Sequence, residues 1–220
     1  TALGPAYIKF GQVLSTRPDI VGDEMSTQLK YLQDKLPPFP TAIAKAMVEA
    51  ELQVKVDEVF SAFSEPVAAA SIAQVYRARL HDGTQVVVKV RRPGIEGVIR
   101  ADLRTIDHAA RLLESEMPDA RRYDPVQIVS QFRRSLQREL DFAKEARNID
   151  QFSRHFADEP LVKIPHVYWA FSNHRVIVQE EIVGVAGIAP DRLRAAELDP
   201  QVLAARSADA VLRMVLVHSY

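Results

Sequence analysis

The segment Gln85–Val90, QVVVKV, sets one lysine in a run of valines. In an extended strand Val88 and Val90 share one face, and Lys89 shares the other with Val87. An ammonium on an apolar strand must reach a partner or snorkel to water. A lysine so placed suits nucleotide phosphates and pairs with a helix carboxylate. The competing reading is an edge lysine that blocks further strand pairing. Candidate partners lie downstream in RELDFAKEARN, which carries Glu139, Asp141 and Glu145. On one continuous helix Asp141 and Glu145 share a face and Glu139 lies on another. Such a group suits a lysine or a metal, or forms a solvated face laced with Lys144 and Arg147.

Three further stretches invite chemistry. Pro66–Tyr76, PVAAASIAQVY, has the plan of a phosphate-covering loop before a hairpin, with alanines where glycines are usual. Glycine lets backbone amides approach phosphates and takes positive φ cheaply, whereas each alanine adds a Cβ. In Lys9-Phe10-Gly11-Gln12, Lys9 and Gln12 share a helical face. Gly11 costs that helix roughly 1 kcal/mol relative to alanine, offset if another element approaches closely; a fraying first turn is the alternative. Glu180-Glu181-Ile182-Val183 follows a strand, where backbone groups can offer an adenine edge a donor and an acceptor. The six histidines form no metal spacing, and Trp169 reads as core. Arg121-Arg122 and Arg133-Arg134 read as solvated faces. No Gly-x-Ser-x-Gly elbow, Walker lysine motif or His-Glu-x-x-His motif is present.

The elements that must position these residues follow from periodicity. Pro5 to Leu36 reads as a helix–turn–helix broken at Arg17-Pro18-Asp19, its second part striped by Met25, Leu29 and Leu32. After Pro37-Pro38-Phe39-Pro40, Thr41 is expected to cap a helix with Ile43, Met47 and Val48 inward. Val56 to Phe63 is expected to be helical through Val59, Phe60 and Phe63. Ala73–Leu80 and Gln85–Val90 form a hairpin around His81-Asp82-Gly83-Thr84. An amphipathic helix over Ile95 to Glu116 ends before Pro118. One long helix is expected from Pro125 to His155, with Phe132, Leu136, Leu140, Ala143 and Ile149 on its inward stripe. A second hairpin is expected over Pro165–Phe171 and His174–Gln179, then short helices at Asp191–Leu198 and Leu203–Val217. The order implies an α+β fold, a small sheet crossed by helices.

With 220 residues, 47% hydrophobic and 26% charged, the chain can bury a sizeable core. A net charge of −1 supplies no basic field for nucleic acid. The absence of cysteine excludes disulfides, thiolate catalysis and cysteine zinc sites. No apolar run approaches the roughly 20 residues of a spanning helix. The opening TALGPAYIKFGQ without methionine and the closing LRMVLVHSY are those expected of a fragment.

The combination KFGQ, LSTRPDI, LQDKLPPFP, PVAAASIAQVYRARLHDGTQVVVKVRRPGI and ELDFAKEARN resembles the UbiB family over most of the chain. These are atypical protein-kinase-like proteins linked to ubiquinone biosynthesis and lipid homeostasis. The resemblance implies a protein-kinase-like N-lobe in residues 64–183, behind a helical extension in residues 1–63. Residues 184–220 would leave the hinge and begin a C-lobe. Lys9, Gly11 and Gln12 match the family's Lys-x-Gly-Gln motif, which folds over the active site. Glu139 and Asp141 match the Glu-x-Asp motif associated with that extension. Ala68, Ala69, Ala70, Ser71, Ile72 and Ala73 match the alanine-rich loop that replaces a glycine-rich one. Lys89 matches the nucleotide-binding lysine, with Glu145 the chosen helix partner, and Glu180, Glu181 and Ile182 belong to the hinge. Tyr76 and Arg91 depart from a common histidine and glutamine. The family's catalytic loop and Asp-Phe-Gly-type metal motif are not in this sequence, so no metal ligand is expected within it and no phosphoryl transfer by it alone. The implied cofactors are ATP or ADP, with Mg²⁺ in a full-length parent. The implied partners are lipid or quinone biosynthetic enzymes and a membrane surface, with no nucleic acid. The implied location is cytoplasmic or membrane-peripheral in a bacterium and organellar otherwise. A nucleotide-responsive scaffold is the rival to a kinase or ATPase.

Overall fold

The computed structural model describes residues 4–31, 37–187 and 190–218. In chain order, α1 (Pro5–Ser15), α2 (Pro18–Val21) and α3 (Asp23–Leu29) precede α4 (Thr41–Leu52) and α5 (Val56–Val59). Strands β1 (Phe60–Ala69), β2 (Ala73–Leu80) and β3 (Gln85–Arg91) follow, then α6 (Ile95–Glu116), α7 (Pro125–Glu139) and α8 (Phe142–His155). Strand β4 (Val176–Glu180), α9 (Pro190–Ala195) and α10 (Pro200–Leu216) complete the described chain.

The sheet has four strands in the order β1-β2-β3-β4, every neighbour antiparallel. Its centre is the expected hairpin. Leu80 and Gly83 close the turn by backbone hydrogen bonds, and Gly83 adopts φ +90°, which glycine takes without strain. Val86, Val88 and Val90 are fully buried on one face, with Tyr76, Val176 and Val178 beside them and Ala44 and Val48 of α4 packed over them. The other face carries Ala73 and Ile177 against Phe142 and Ala146 of α8. A third cluster joins α1, α6 and α7 through Ala6, Ile99, Leu103, Phe132 and Leu136.

Buried Gln74 ties the segment before α4 to the sheet. Its Nε2 donates to the Phe39 carbonyl at 3.1 Å, and its Oε1 accepts from the Phe39 amide at 2.8 Å. Each polar group of a fully buried amide thus has a partner.

Several elements differ from the sequence expectations. Phe60 and Phe63 lie in β1, not in a helix. Register shifts between Phe60 and Ala62 and between Phe63 and Pro66 mark bulges, and an inserted residue lets positions three apart share a strand face. The two rings accordingly meet at 5.8 Å in the sheet core. The expected helix over Pro125–His155 is two helices, broken at Leu140-Asp141. The break turns α8 so that Phe142 and Ala146 face inward, rather than Ala143. Thr41 does not cap α4, whose N-cap is Pro40; its hydroxyl donates to Glu65. Ala44 and Val48 bury that helix, while Ile43 is exposed. The expected second hairpin reduces to one bridge, Val167 to Gln179, beside a 3-10 turn at Trp169–Phe171. Trp169 is exposed, with its indole N–H on Asp150 at 2.6 Å. Along α10 the apolar residues Val211, Leu212, Val215 and Leu216 are exposed among the described residues. Expectations for 32–36, including Leu32 in the α3 stripe, lie outside the described residues.

Helix α1 is docked by a carboxylate from elsewhere in the chain. Asp102 of α6 accepts from the Ala6 amide at 3.2 Å, satisfying a donor that a helix start leaves open. Gly4 permits that approach, since a Cβ there would fall 2.1 Å from Asp102 Oδ2. Gly4→Ala is expected to lower stability by about 0.5–1.5 kcal/mol, because the Asp102 carboxylate must swing away and give up the Ala6 amide. In an Asp102→Ala background the same change should cost clearly less. Equal costs in urea unfolding of both backgrounds would refute the close contact.

Candidate nucleotide site

Lys89 sits mid-strand, paired in register with Val75 of β2 and Ile177 of β4. It is therefore interior to the sheet and not an edge lysine, which removes the blocking role. Its Nζ donates to Glu145 at 2.7 and 3.0 Å, and lies 4.6 Å from the Phe142 ring centroid. The Lys89 side chain remains 31% exposed and that of Glu145 38%. The pair is thus only partly desolvated, and Lys89 keeps a side open to a ligand. Glu145 stands in the first turn of α8, where the helix dipole favours an anion.

The break before α8 aims Glu145 at Lys89. Arg91, two residues along β3 on the same face as Lys89, donates from Nη1 to the Leu140 carbonyl at 2.7 Å. The Phe142 amide donates to the His174 carbonyl at 3.2 Å, fastening the start of α8 beside β4. Arg91 is buried, which pulls its pKa down from the ordinary arginine value, and Glu96 at 2.9 Å opposes that shift.

The extension reaches the same place. Lys9 of α1 pairs with Glu139 at 3.4 Å, and Phe10 packs on Phe132 of α7 at 5.0 Å between centroids. Gly11 is buried within α1, and Gln12 is partly exposed on its other side. Glu139 and Glu145 line one cavity of about 700 Å³ with Arg138, Lys144 and Arg147. Glu145 thus faces Lys89 and Glu139 faces Lys9, each carboxylate met by one ammonium. Asp141 does not join them. It begins α8 without a capping hydrogen bond, and Lys144 lies 3.7 Å from its Oδ2.

The alanine loop is held more tightly than its composition suggests. Ala68 and Ala69 end β1, Ala69 in register with Gln74. The Ala70 amide donates to the Ala73 carbonyl at 2.9 Å. Arg92 donates from Nε to the Ala70 carbonyl at 2.8 Å and from its amide to the Ile72 carbonyl at 2.8 Å. Ser71 and Ile72 are buried, and Ile72 belongs to the core shared by α1, α6 and α7. Of the six loop residues from Ala68 to Ala73, only Ala68, Ala69 and Ala70 lie at the surface in whole or in part. Sequence reasoning missed Arg92, although its position after the β3 lysine strand was the available signal.

At the strand exit, Glu180 accepts from Lys163 at 2.8 Å and from the His166 amide at 3.2 Å. Glu181 is paired with Arg77 and its amide donates to the Gln85 carbonyl at 3.2 Å. The Ile182 amide has no partner among the described residues.

A small antiparallel sheet, a central lysine and a glutamate on the helix behind it define a protein-kinase-like N-lobe. Residues 31–220 match the model of the ABC1 atypical kinase-like domain, and the chain belongs to that family. It is 42% identical over 219 residues to a protein named "Probable protein kinase UbiB" from Pseudomonas paraeruginosa, covering 99% of this chain and 41% of that one. A protein of the same name from Marinobacter nauticus is 41% identical, with 40% of its length covered. The chain therefore spans about two-fifths of the length of these relatives. Among solved structures, the Rv3197–erythromycin complex from Mycobacterium tuberculosis aligns with a TM-score of 0.59 at 35% identity. That alignment covers 80% of this chain and 44% of Rv3197.

The Glu180 contacts carry a pH dependence. The Lys163 ammonium, then the His166 amide, holds its carboxyl below the ordinary value of 4.5. The stabilisation is complete above that ordinary value and is lost as pH falls through the lowered folded value. Lys163→Ala should therefore lower the urea midpoint at neutral pH and flatten its fall between about pH 5 and pH 3. Parallel curves for the two proteins would refute a contribution from the pair.

Proposed function

We propose that this chain is the nucleotide-binding part of an atypical kinase or ATPase that supports ubiquinone or related lipid biosynthesis. The observation that carries the reading is the Lys89–Glu145 pair at 2.7 Å, about a third exposed, whose carboxylate lines a cavity rimmed by cationic side chains. The tie to quinone or lipid pathways rests on the UbiB resemblance and on the relatives' printed name. In this reading residues 1–63 are a regulatory extension, 64–183 the small lobe and 184–220 the lead into a second lobe.

Each group then has a task. Lys89 contacts the α- and β-phosphates of ATP or ADP, and Glu145 fixes its ammonium. Ala68, Ala69 and Ala70 cover the phosphates, with Ser71 and Ile72 anchoring the loop from below. The backbone from Glu180 through Glu181 to Ile182 meets the adenine edge, the Ile182 amide being the donor. Lys9, Gly11 and Gln12 govern access together with Glu139 and Asp141. No group of three metal-ligating side chains occurs among the described residues, and Glu139 and Glu145 each face a lysine. In this reading Mg²⁺ belongs to the full-length parent. No helix among the described residues is long and apolar enough to cross a membrane. On the family resemblance we place the protein in the cytoplasm or at a membrane surface if bacterial, and in an organelle otherwise, beside lipid or quinone biosynthetic enzymes.

Lys89→Ala in the full-length protein is expected to abolish ATP-dependent phosphate release, a loss of about 100-fold or more. Nucleotide binding with no turnover in the wild type, and unchanged partner assembly, would instead favour a nucleotide-responsive scaffold. Ala70→Gly should loosen the segment that Arg92 holds and change the ratio of ATP to ADP affinity. An unchanged ratio and unchanged turnover would remove the loop from nucleotide selection.

A further inference from the structure

A second cavity, of about 630 Å³, shares no lining residue with the one beside Glu145. It lies where the end of β3, α6, α7 and the Leu140-Asp141 break converge. Four arginines line it: Arg91, Arg100, Arg104 and Arg133. Two are internally neutralised. Arg91 is paired with Glu96, and Arg133 reaches Asp107 at 3.3 Å. Arg100 and Arg104, one helical turn apart on α6, make no ion pair among the described residues. Asp141, also in the lining, is answered by Lys144 at 3.7 Å, so the lining has room for two negative charges.

Arg91 forms a rigid side of the cavity, 5% exposed and committed to the Leu140 carbonyl and to Glu96. Ile99, Leu103 and Leu140 supply an apolar wall. The size is that of a small-molecule pocket.

We propose that this cavity binds a small soluble phosphate monoester. A phosphate monoester bears close to two negative charges at neutral pH, matching the two unneutralised guanidiniums. Its oxygens accept from the Arg100 and Arg104 guanidiniums, and its organic part covers the apolar wall of Ile99, Leu103 and Leu140. A lone carboxylate, with one charge, would be met by a single guanidinium fork and leave the other arginine uncompensated. The site is separate from Lys89 and Glu145, so it does not depend on the nucleotide reading.

The test is calorimetric titration of the full-length protein with glycerol 3-phosphate, with inorganic phosphate and glycerol as comparison probes. Binding is expected with a Kd of about 1 mM or tighter, with inorganic phosphate weaker and glycerol silent. R100Q/R104Q should weaken glycerol 3-phosphate by about tenfold or more and leave ATP affinity unchanged, while R100K/R104K recovers much of the loss. Lys89→Ala should leave glycerol 3-phosphate binding intact. Both arginines are exposed, so a melting curve unchanged by R100Q/R104Q keeps the comparison interpretable. The proposal is overturned by no binding up to about 10 mM, or by equal affinity in R100Q/R104Q. It is also overturned if Lys89→Ala removes the binding, which would place the probe in the nucleotide cavity. Binding of phosphate only on anionic phospholipid vesicles would overturn it in favour of a membrane surface.

Discussion

The interruption of the helical run at Leu140-Asp141 is the constraint on which the candidate site depends. A continuous helix would carry Glu139, Asp141 and Glu145 in fixed rotation, with Asp141 and Glu145 on one face. The break separates them. Glu139, closing α7, meets the extension at Lys9, and Glu145, opening α8, meets the sheet at Lys89. One short acidic segment thereby serves two lysines that are 80 residues apart in the chain. Neither glycine nor proline makes this break. Arg91 takes the Leu140 carbonyl and His174 takes the Phe142 amide, so the freed backbone groups are paid for by tertiary partners.

That origin explains what the sequence could disclose. The apolar spacing through Phe132, Leu136 and Leu140 runs on without a breaker, and periodicity alone reads it as one helix. The interrupting contacts come from β3 and from His174 just before β4, which no local window contains. The helix over Ile95–Glu116 and the hairpin of β2 and β3 were legible because their signals are local: a caesura at Pro93-Gly94 and Pro118, and a turn at Asp82-Gly83. Phe60 and Phe63 misled for the opposite reason. Their spacing of three is helical in form, and a bulge gives a strand the same outcome.

At the site, residue types carried more than periodicity did. Lys89 stood out as a charge among valines, and Glu145 as one of several acidic candidates. Choosing Glu145 over its neighbours required the family resemblance, because the pairing depends on the break. The alanine loop was legible as a loop and not as a braced one. Its brace comes from Arg92, whose side chain crosses to Ala70 from the strand exit, and from Ile72 buried in a core that α1 helps build. The extension and the loop thus share a foundation, and a change in how α1 sits bears on the loop through Ile72.

The buried Gln74 clamp on Phe39 has a kinetic side. Its two hydrogen bonds join residues 35 positions apart, and neither forms until β2 exists to present the amide. Hairpins assemble on the microsecond scale, faster than contacts that close long loops. The order of assembly is therefore imposed: β2 and β3 pair first, and the segment leading into α4 docks afterwards. A nascent chain emerging from its N-terminus makes Phe39 before it makes Gln74. The segment leading into α4 must accordingly wait, without this anchor, until synthesis has passed the strand that will receive it.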